Sequence, residues 1–181
     1  MTICDNLLAE DIIVNCADLA HSSFRKKAWI FNFDDVEYPQ AEITNTVSNF
    51  TLKAGKRGYI VEQLGSTPYE GTNTALVVSK YSVSFTNQVQ LFIPDSVGAG
   101  RIIDTLSSGK FIVCLDNGVG GIRVYGYYNG LKAIEATQTP YNDETDGGWL
   151  VKLEETKAQR SRIHMAAADK TKLDDLCKEA A

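Results

Sequence analysis

Cysteine and histidine, the residue types best suited to metal binding or nucleophilic catalysis, are few and scattered in this chain. They are Cys4, Cys16, Cys114, Cys177, His21 and His164. The cysteines form no C-x-x-C pair, whereas zinc ligands normally follow a tight spacing. Neither histidine lies in a local nucleophile signature such as G-x-S-x-G. We therefore predict no catalytic residue, no metal site and no cofactor, and hence a protein that is not an enzyme.

A glycine-rich segment at residues 97–100 lies between a predicted strand and a predicted helix, where a dinucleotide-binding loop would lie. The third glycine of G-x-G-x-x-G would fall at Ile103, so the fingerprint is incomplete. A second glycine cluster at residues 118–121 lies between two predicted strands and has no helix N-terminus to direct at a phosphate. We interpret both clusters as turns.

Residues 142–147 resemble the start of a calcium-binding loop, because oxygen ligands alternate and a glycine occupies the sixth position. The twelfth position, where a bidentate glutamate is needed, is Leu153. A solvated loop is the favoured interpretation. A surface cation held by Asp143, Glu144 and Asp146 is left open as the alternative.

The charge balance argues against a nucleic-acid-binding surface. There are 18 basic and 23 acidic residues, for a formal net charge of −5, whereas phosphate binding depends on clustered Lys and Arg. Asp5, Glu10 and Asp11 occupy the region where a secretory leader would carry basic residues. No run approaches the roughly 20 apolar residues that span a bilayer. We expect reduced cysteines and no membrane partner.

The pattern of apolar residues predicts a mainly β protein. Residues 28–33, 47–53, 56–64, 110–116, 121–127 and 149–154 are predicted strands, with a hairpin turn at Ala54-Gly55. Residues 76–93 alternate with period 2, and we predict two strands that meet at Thr86-Asn87. One helix is predicted at 97–106, with Ile102, Ile103 and Leu106 on one face. These elements favour an antiparallel sandwich or barrel with one packed helix, and a short C-terminal helix follows.

Several short segments of the sequence resemble those of a known family of structural proteins. They lie at residues 4–8, 28–35, 52–56, 123–126, 130–132 and 147–153. Together they resemble virion structural proteins of tailed phages that infect Bacteroides-type bacteria, including crAss-like phages. The resemblance covers roughly residues 4–155. It implies a tail-tube or neck-ring subunit that is made in the cytoplasm of the host bacterium and located in the virion.

The resemblance implies a tube-like fold of two antiparallel sheets whose copies join edge to edge in a homo-oligomeric ring. The implied organisation is an N-terminal arm at 1–26, a tube-like β domain at 27–155 and a C-terminal extension at 156–181. The implied partners are neighbouring tail or neck proteins and the portal, and DNA would pass through without specific binding. We expect Lys80, Ser82, Ser84, Gln88 and Gln90 to face the lumen of such a ring.

A second function remains open, namely a β-sandwich module that binds carbohydrate or protein. Clustered exposed aromatic residues would favour it, and Tyr125, Tyr127 and Tyr128 are the candidates for a stacking platform. Tyr125 and Tyr127 share one strand face, which is equally typical of core or interface residues.

Overall fold

A computed structural model describes residues 24–37, 45–47, 50–63, 68–118, 121–139, 147–161 and 163–178. The strands are β1 (Lys27–Asn32), β2 (Val36–Glu37), β3 (Thr51–Leu52), β4 (Tyr59–Glu62), β5 (Asn73–Val78), β6 (Val83–Pro94), β7 (Phe111–Asp116), β8 (Ile122–Tyr125), β9 (Lys132–Thr139), β10 (Gly148–Ala158) and β11 (Ile163–Met165). The helices are α1 (Ala99–Ser108) and α2 (Lys170–Leu176), and short 3-10 turns cover Phe33–Asp35 and Ala167–Asp169. The predicted mainly β, antiparallel sandwich-like fold with one packed helix and a C-terminal helix is confirmed.

The strands form two main sheets and one short ribbon. The five-stranded sheet has the order β11-β8-β7-β1-β4, the four-stranded sheet has the order β5-β6-β10-β9, and β2 pairs with β3. Neighbouring strands are antiparallel throughout both main sheets. Within the described ranges, β4 and β5 each lie at an open end of a sheet.

The five-stranded sheet is the central layer, and apolar side chains cover both of its faces. Ile30 and Val113 belong to a first core cluster that fills the space toward the four-stranded sheet and α1. Trp29 and Cys114, which point the other way, belong to a second core cluster that includes Leu173 of α2. A strand buried on both faces has an unbroken apolar sequence, and β7 has one in Phe-Ile-Val-Cys-Leu.

Two predicted turns are wrong. Thr86 and Asn87 lie inside the continuous 12-residue strand β6, and the hairpin turn comes earlier, at residues 79–82. Ala54-Gly55 does not join a hairpin, because β3 pairs with β2 while β4 pairs with β1. Sequence reasoning missed β9 altogether; its described side chains are mostly exposed, so it carries little apolar alternation.

The two predicted helices exist, with shifted boundaries. In α1, Ile103 and Leu106 are buried as expected, whereas Ile102 is exposed. In α2, Leu173 is fully buried, and Leu176 and Cys177 pack against the second core cluster. The expected domain boundary after Glu155 falls within β10, and β11 extends the central sheet beside β8. Most of the expected N-terminal arm, residues 1–23, lies outside the described residues.

Candidate assembly surfaces

The hairpin of β5 and β6 ends in a segment rich in exposed apolar side chains, here called the hairpin tip (residues 76–83). Its large apolar residues are between 45% and 88% exposed, with Tyr81 the most exposed of them. These residues are Leu76, Val77, Val78, Tyr81 and Val83. The turn itself is closed by hydrogen bonds, because the Ser79 amide donates to the Ser82 carbonyl at 2.8 Å and the two hydroxyls lie 2.7 Å apart. A hydrogen-bonded turn therefore presents these apolar side chains to solvent.

The hairpin tip extends beyond the part of β6 that is packed in the core. Farther along β6, Val89 and Leu91 are buried, and β10 pairs with this stretch of the strand. At the other end, Val83 pairs only with Val78, and every residue of β5 is exposed. The hairpin tip thus belongs to neither core cluster.

The face of the four-stranded sheet that points away from the core is polar, and we call it the polar sheet face. Nε2 of Gln88 donates to Glu154 at 2.6 Å, and Nδ2 of Asn73 donates to Gln88 at 3.3 Å. On the β10–β9 side, Nζ of Lys152 lies 2.6 Å from the carboxylate of Glu135. The hydrogen bond and charge of Lys152 hold the pKa of Glu135 below its usual value.

The predicted lumen-facing residues divide between these two surfaces. Ser84, Gln88 and Gln90 alternate along β6 with the buried positions, which places them on the polar sheet face. Lys80 and Ser82 lie in the turn of the hairpin, where Nζ of Lys80 lies 5.2 Å from the ring centre of Tyr81. The structure therefore brings three of the five together and sets the other two at the hairpin tip. Their role in a lumen stays a prediction.

An apolar cleft of about 610 Å³ lies between the open strand β4, the far end of β6 and helix α1. Tyr59 of β4 and Ile102 of α1 are roughly half exposed at its walls. Leu91 and Leu106, both buried, contribute to its floor. The charged groups that line it are Glu62 and Arg101.

Gln63 closes the open edge of β6 beside this cleft. Its side chain is 4% exposed, and its carboxamide both donates to the Phe92 carbonyl and accepts from the Phe92 amide, each at 2.9 Å. The side chain thereby substitutes for a paired strand where β5 has ended. The segment after β4 is joined to the four-stranded sheet by this pair, which fixes one end of the cleft.

The comparisons with known proteins add no assignment. No family model, curated protein or solved structure matches this chain. The proposed function therefore depends on the surfaces of the described residues and on the sequence resemblance.

The near-motifs of the sequence form no reactive site among the residues that the structure describes. Gly98 caps the start of α1 without a side-chain hydrogen bond, and His164 contacts Thr46 at 3.2 Å. No group of three or more His, Cys, Asp or Glu residues with metal-binding geometry is found within the described ranges. The acidic residues of the calcium-like loop, together with His21, Cys4 and Cys16, lie outside those ranges. No described helix is both long and apolar enough to cross a membrane.

Among the residues that the structure describes, Glu155 is the one acidic side chain that is buried, and in the sequence it served only as a domain boundary. The side chain is 1% exposed and accepts hydrogen bonds from the amides of Gly126, Tyr128 and Asn129 at 3.1, 2.9 and 2.8 Å. Nδ2 of Asn87 donates a fourth bond at 2.9 Å. Because four donors satisfy the carboxylate, Glu155 is a structural clamp. Its position two residues after Leu153, on the buried alternation of β10, was the available sequence signal.

Proposed function

We propose that this chain is a structural subunit of a tailed-phage virion, which assembles into a ring or tube at the tail or the head–tail neck. Such a ring would form part of the DNA passage and would contact neighbouring tail or neck proteins or the portal. The sequence resemblance supplies the phage context. The proposal that copies of the chain assemble with one another is based on the exposed hairpin tip and does not depend on that resemblance.

The observation that carries the proposal is the exposed apolar hairpin tip. Its five large apolar residues surround the turn on both faces of the hairpin and expose on the order of 500 Å², comparable to the largest apolar patch on a typical monomer, and such patches are often functional. Three of them, Leu76, Val77 and Val78, lie on β5, the end strand of its sheet within the described residues, and an open strand edge favours association with another chain. A surface of this kind is expected to be covered by a partner.

The polar sheet face supports a channel-lining role. Its charged residues on β9 and β10 are Lys132, Glu135, Lys152 and Glu154, two of each sign, so they present no cluster of positive charge. DNA binds to clustered Lys and Arg and is repelled by acidic surfaces. A charge-balanced surface rich in Ser, Thr and Gln would let DNA pass without holding it.

Two of the three tyrosines that the sequence offered as a sugar-stacking platform are buried, and the third, Tyr128, is partly buried. Tyr125 and Tyr127 are 7% and 8% exposed and belong to the two core clusters. Their rings therefore cannot serve as a stacking platform for sugars. A hairpin tip that binds a different protein is the second form of the binding-module alternative, and it would leave the purified chain monomeric in the following experiment.

The experiment is a native mass measurement of the purified full chain across a concentration series, with negative-stain electron microscopy of the same samples. We expect discrete assemblies many times the 19.9 kDa chain mass, seen as rings with a central channel. Labelled duplex DNA should show little binding to these rings at physiological salt. A chain that stays monomeric up to millimolar concentration would contradict self-assembly, and detection of the chain in purified virions would test the phage assignment.

A further inference from the structure

We propose that the hairpin tip of one copy docks into the apolar cleft of the next copy. This inference rests on the proposed self-assembly and specifies its contact. It joins two surfaces described above, each of which presents apolar side chains to solvent.

The positions of the two surfaces exclude contact within one chain. Both lie along β6, because Val83 begins the strand at the hairpin tip while Ile93 and Pro94 line the cleft at its other end. A strand rises about 3.3 Å per residue, so 12 residues separate the surfaces by roughly 35 Å. A copy therefore cannot fill its own cleft with its own tip, whereas a neighbouring copy can.

The contact joins two different patches, so copies related by any rotation other than a two-fold make it head-to-tail. Repetition of a head-to-tail contact closes into a ring or extends into a helical filament, depending on the rotation between copies. A two-fold dimer would instead make the tip-to-cleft contact in both directions at once, and native mass distinguishes that dimer from a ring. The location of the tip and the cleft at opposite ends of β6 thus fits a ring subunit and gives each copy one donor surface and one acceptor surface.

The surfaces match in chemistry. The tip offers aliphatic and aromatic side chains, and the cleft offers Tyr59, Ile102 and the buried residues beneath them. Lys80 is the only charged residue between Asn73 and Val83, and Glu62 lines the cleft together with Arg101. Pairing Lys80 with Glu62 and away from Arg101 would set the orientation of the hairpin.

The surfaces suit a contact that is weak when it is made once. The accessible lining of the cleft is smaller than the exposed apolar surface of the tip, so one contact covers less than the roughly 1,200 Å² of a standard specific interface. Each copy in a closed ring makes this contact twice, once through its tip and once through its cleft. Ring closure would therefore stabilise an assembly whose single contact is weak.

The test uses one charge substitution in each surface of the full chain. Tyr81→Asp alters the tip, and Ile102→Asp alters the cleft. Val97→Asp and Ile134→Asp are matched controls, because both replace exposed apolar residues that belong to neither surface. Circular dichroism and thermal melts establish that every variant is folded. A second pair, Val78→Lys and Tyr59→Lys, replaces the first if an aspartate variant does not fold.

The expected result is that each surface variant alone is monomeric, while both controls assemble like the wild type. At millimolar concentration, where a weak single contact is populated, an equimolar mixture of Tyr81→Asp and Ile102→Asp should form a heterodimer of twice the chain mass and nothing larger. The reason is that the first variant retains a cleft and the second retains a tip, so one intact contact forms and cannot be repeated.

Three results would overturn the docking model while leaving self-assembly intact. These are wild-type rings that persist in both variants, rings lost only in Ile102→Asp, and a mixture that gives no heterodimer. The second result would mean that another segment, such as residues 1–23, fills the cleft. A wild-type chain that never assembles would overturn the proposed function itself, so the two failures are distinguishable.

Discussion

Asn87 and Glu155 meet in the protein interior, where Nδ2 of Asn87 donates a 2.9 Å hydrogen bond to the carboxylate. Both side chains are buried, and the pair joins β6 to β10. The carboxylate also holds the backbone turn that follows β8, through the amides of Gly126, Tyr128 and Asn129. One side chain therefore ties a turn of the five-stranded sheet to the four-stranded sheet.

Glu155→Ala should strongly destabilise the protein. It removes a fully bonded buried carboxylate and leaves four neutral donors without their acceptor, and each buried donor left unsatisfied costs about 1–3 kcal/mol. Urea denaturation followed by circular dichroism measures the change in free energy of unfolding. Glu154→Ala is the matched control, since Glu154 lies on the polar sheet face and contacts Gln88 there. Equal losses in the two variants would contradict the clamp role of Glu155.

Gly126→Ala should be more destabilising than Gly55→Ala. Both glycines have positive φ, +81° and +75°, so alanine meets a similar backbone strain of about 1–2 kcal/mol at each position. A Cβ at Gly126 would also lie 2.5 Å from the Phe111 carbonyl oxygen, whereas a Cβ at Gly55 has nothing within 4 Å. Because the backbone strain is similar at both positions, the difference in melting temperature between the two variants measures the steric effect of the added Cβ. Similar melting temperatures would show that the backbone around residue 126 relaxes freely.

Asp174 should make the attachment of α2 sensitive to acid. Burial alone would raise its pKa, but hydrogen bonds from Lys27 and Trp29, together with the Lys27 charge, hold the pKa below the usual 3.8. A carboxyl with a lowered folded-state pKa contributes stability that is complete above its unfolded pKa of about 3.9 and is lost as the pH falls through the folded value. The stability of the wild type should therefore decline more steeply below about pH 4 than that of Asp174→Asn.

The measurement for Asp174 is the free energy of unfolding at several pH values between neutral and acid. Asp175→Asn is the control, because Asp175 contacts Lys178 on the solvent side of α2. It should keep the pH dependence of the wild type. Parallel curves for the wild type and Asp174→Asn would refute the assignment.

The thiols of Cys114 and Cys177 should react slowly in the folded protein. Burial raises the pKa of Cys177 to about 11, with a further contribution from the Asp174 carboxylate, and burial raises the pKa of Cys114 still more. Because the thiolate is the nucleophile, little reactive form exists at pH 8. In a Cys4→Ser/Cys16→Ser variant, iodoacetamide followed by mass spectrometry should find Cys114 unmodified and Cys177 slowly modified. Rapid labelling of Cys114 without denaturant would contradict its burial.

Local patterns in the sequence determined the fold class and several elements. The unbroken apolar run of β7 and the alternation in β6 and β10 depend only on which residues follow one another. The 3 and 4 spacing in α1 and α2 is also local, as is the turn between β7 and β8, where Asp116 pairs with Ile122. From the same local patterns we expect no complete catalytic motif.

Only the tertiary structure decided where strands pair and which side chains stay uncovered. Thr86-Asn87 has the composition of a turn, yet Asn87 is buried in a strand because Thr74 and Glu155 satisfy its amide. Glu155 lies 68 residues away, and no local pattern contains that partner. The sequence likewise could not reveal that Tyr81 and its neighbours are exposed. Period-2 alternation shows only which side chains share a face. Whether anything covers that face depends on the other sheet and, in our proposal, on the next copy of the chain.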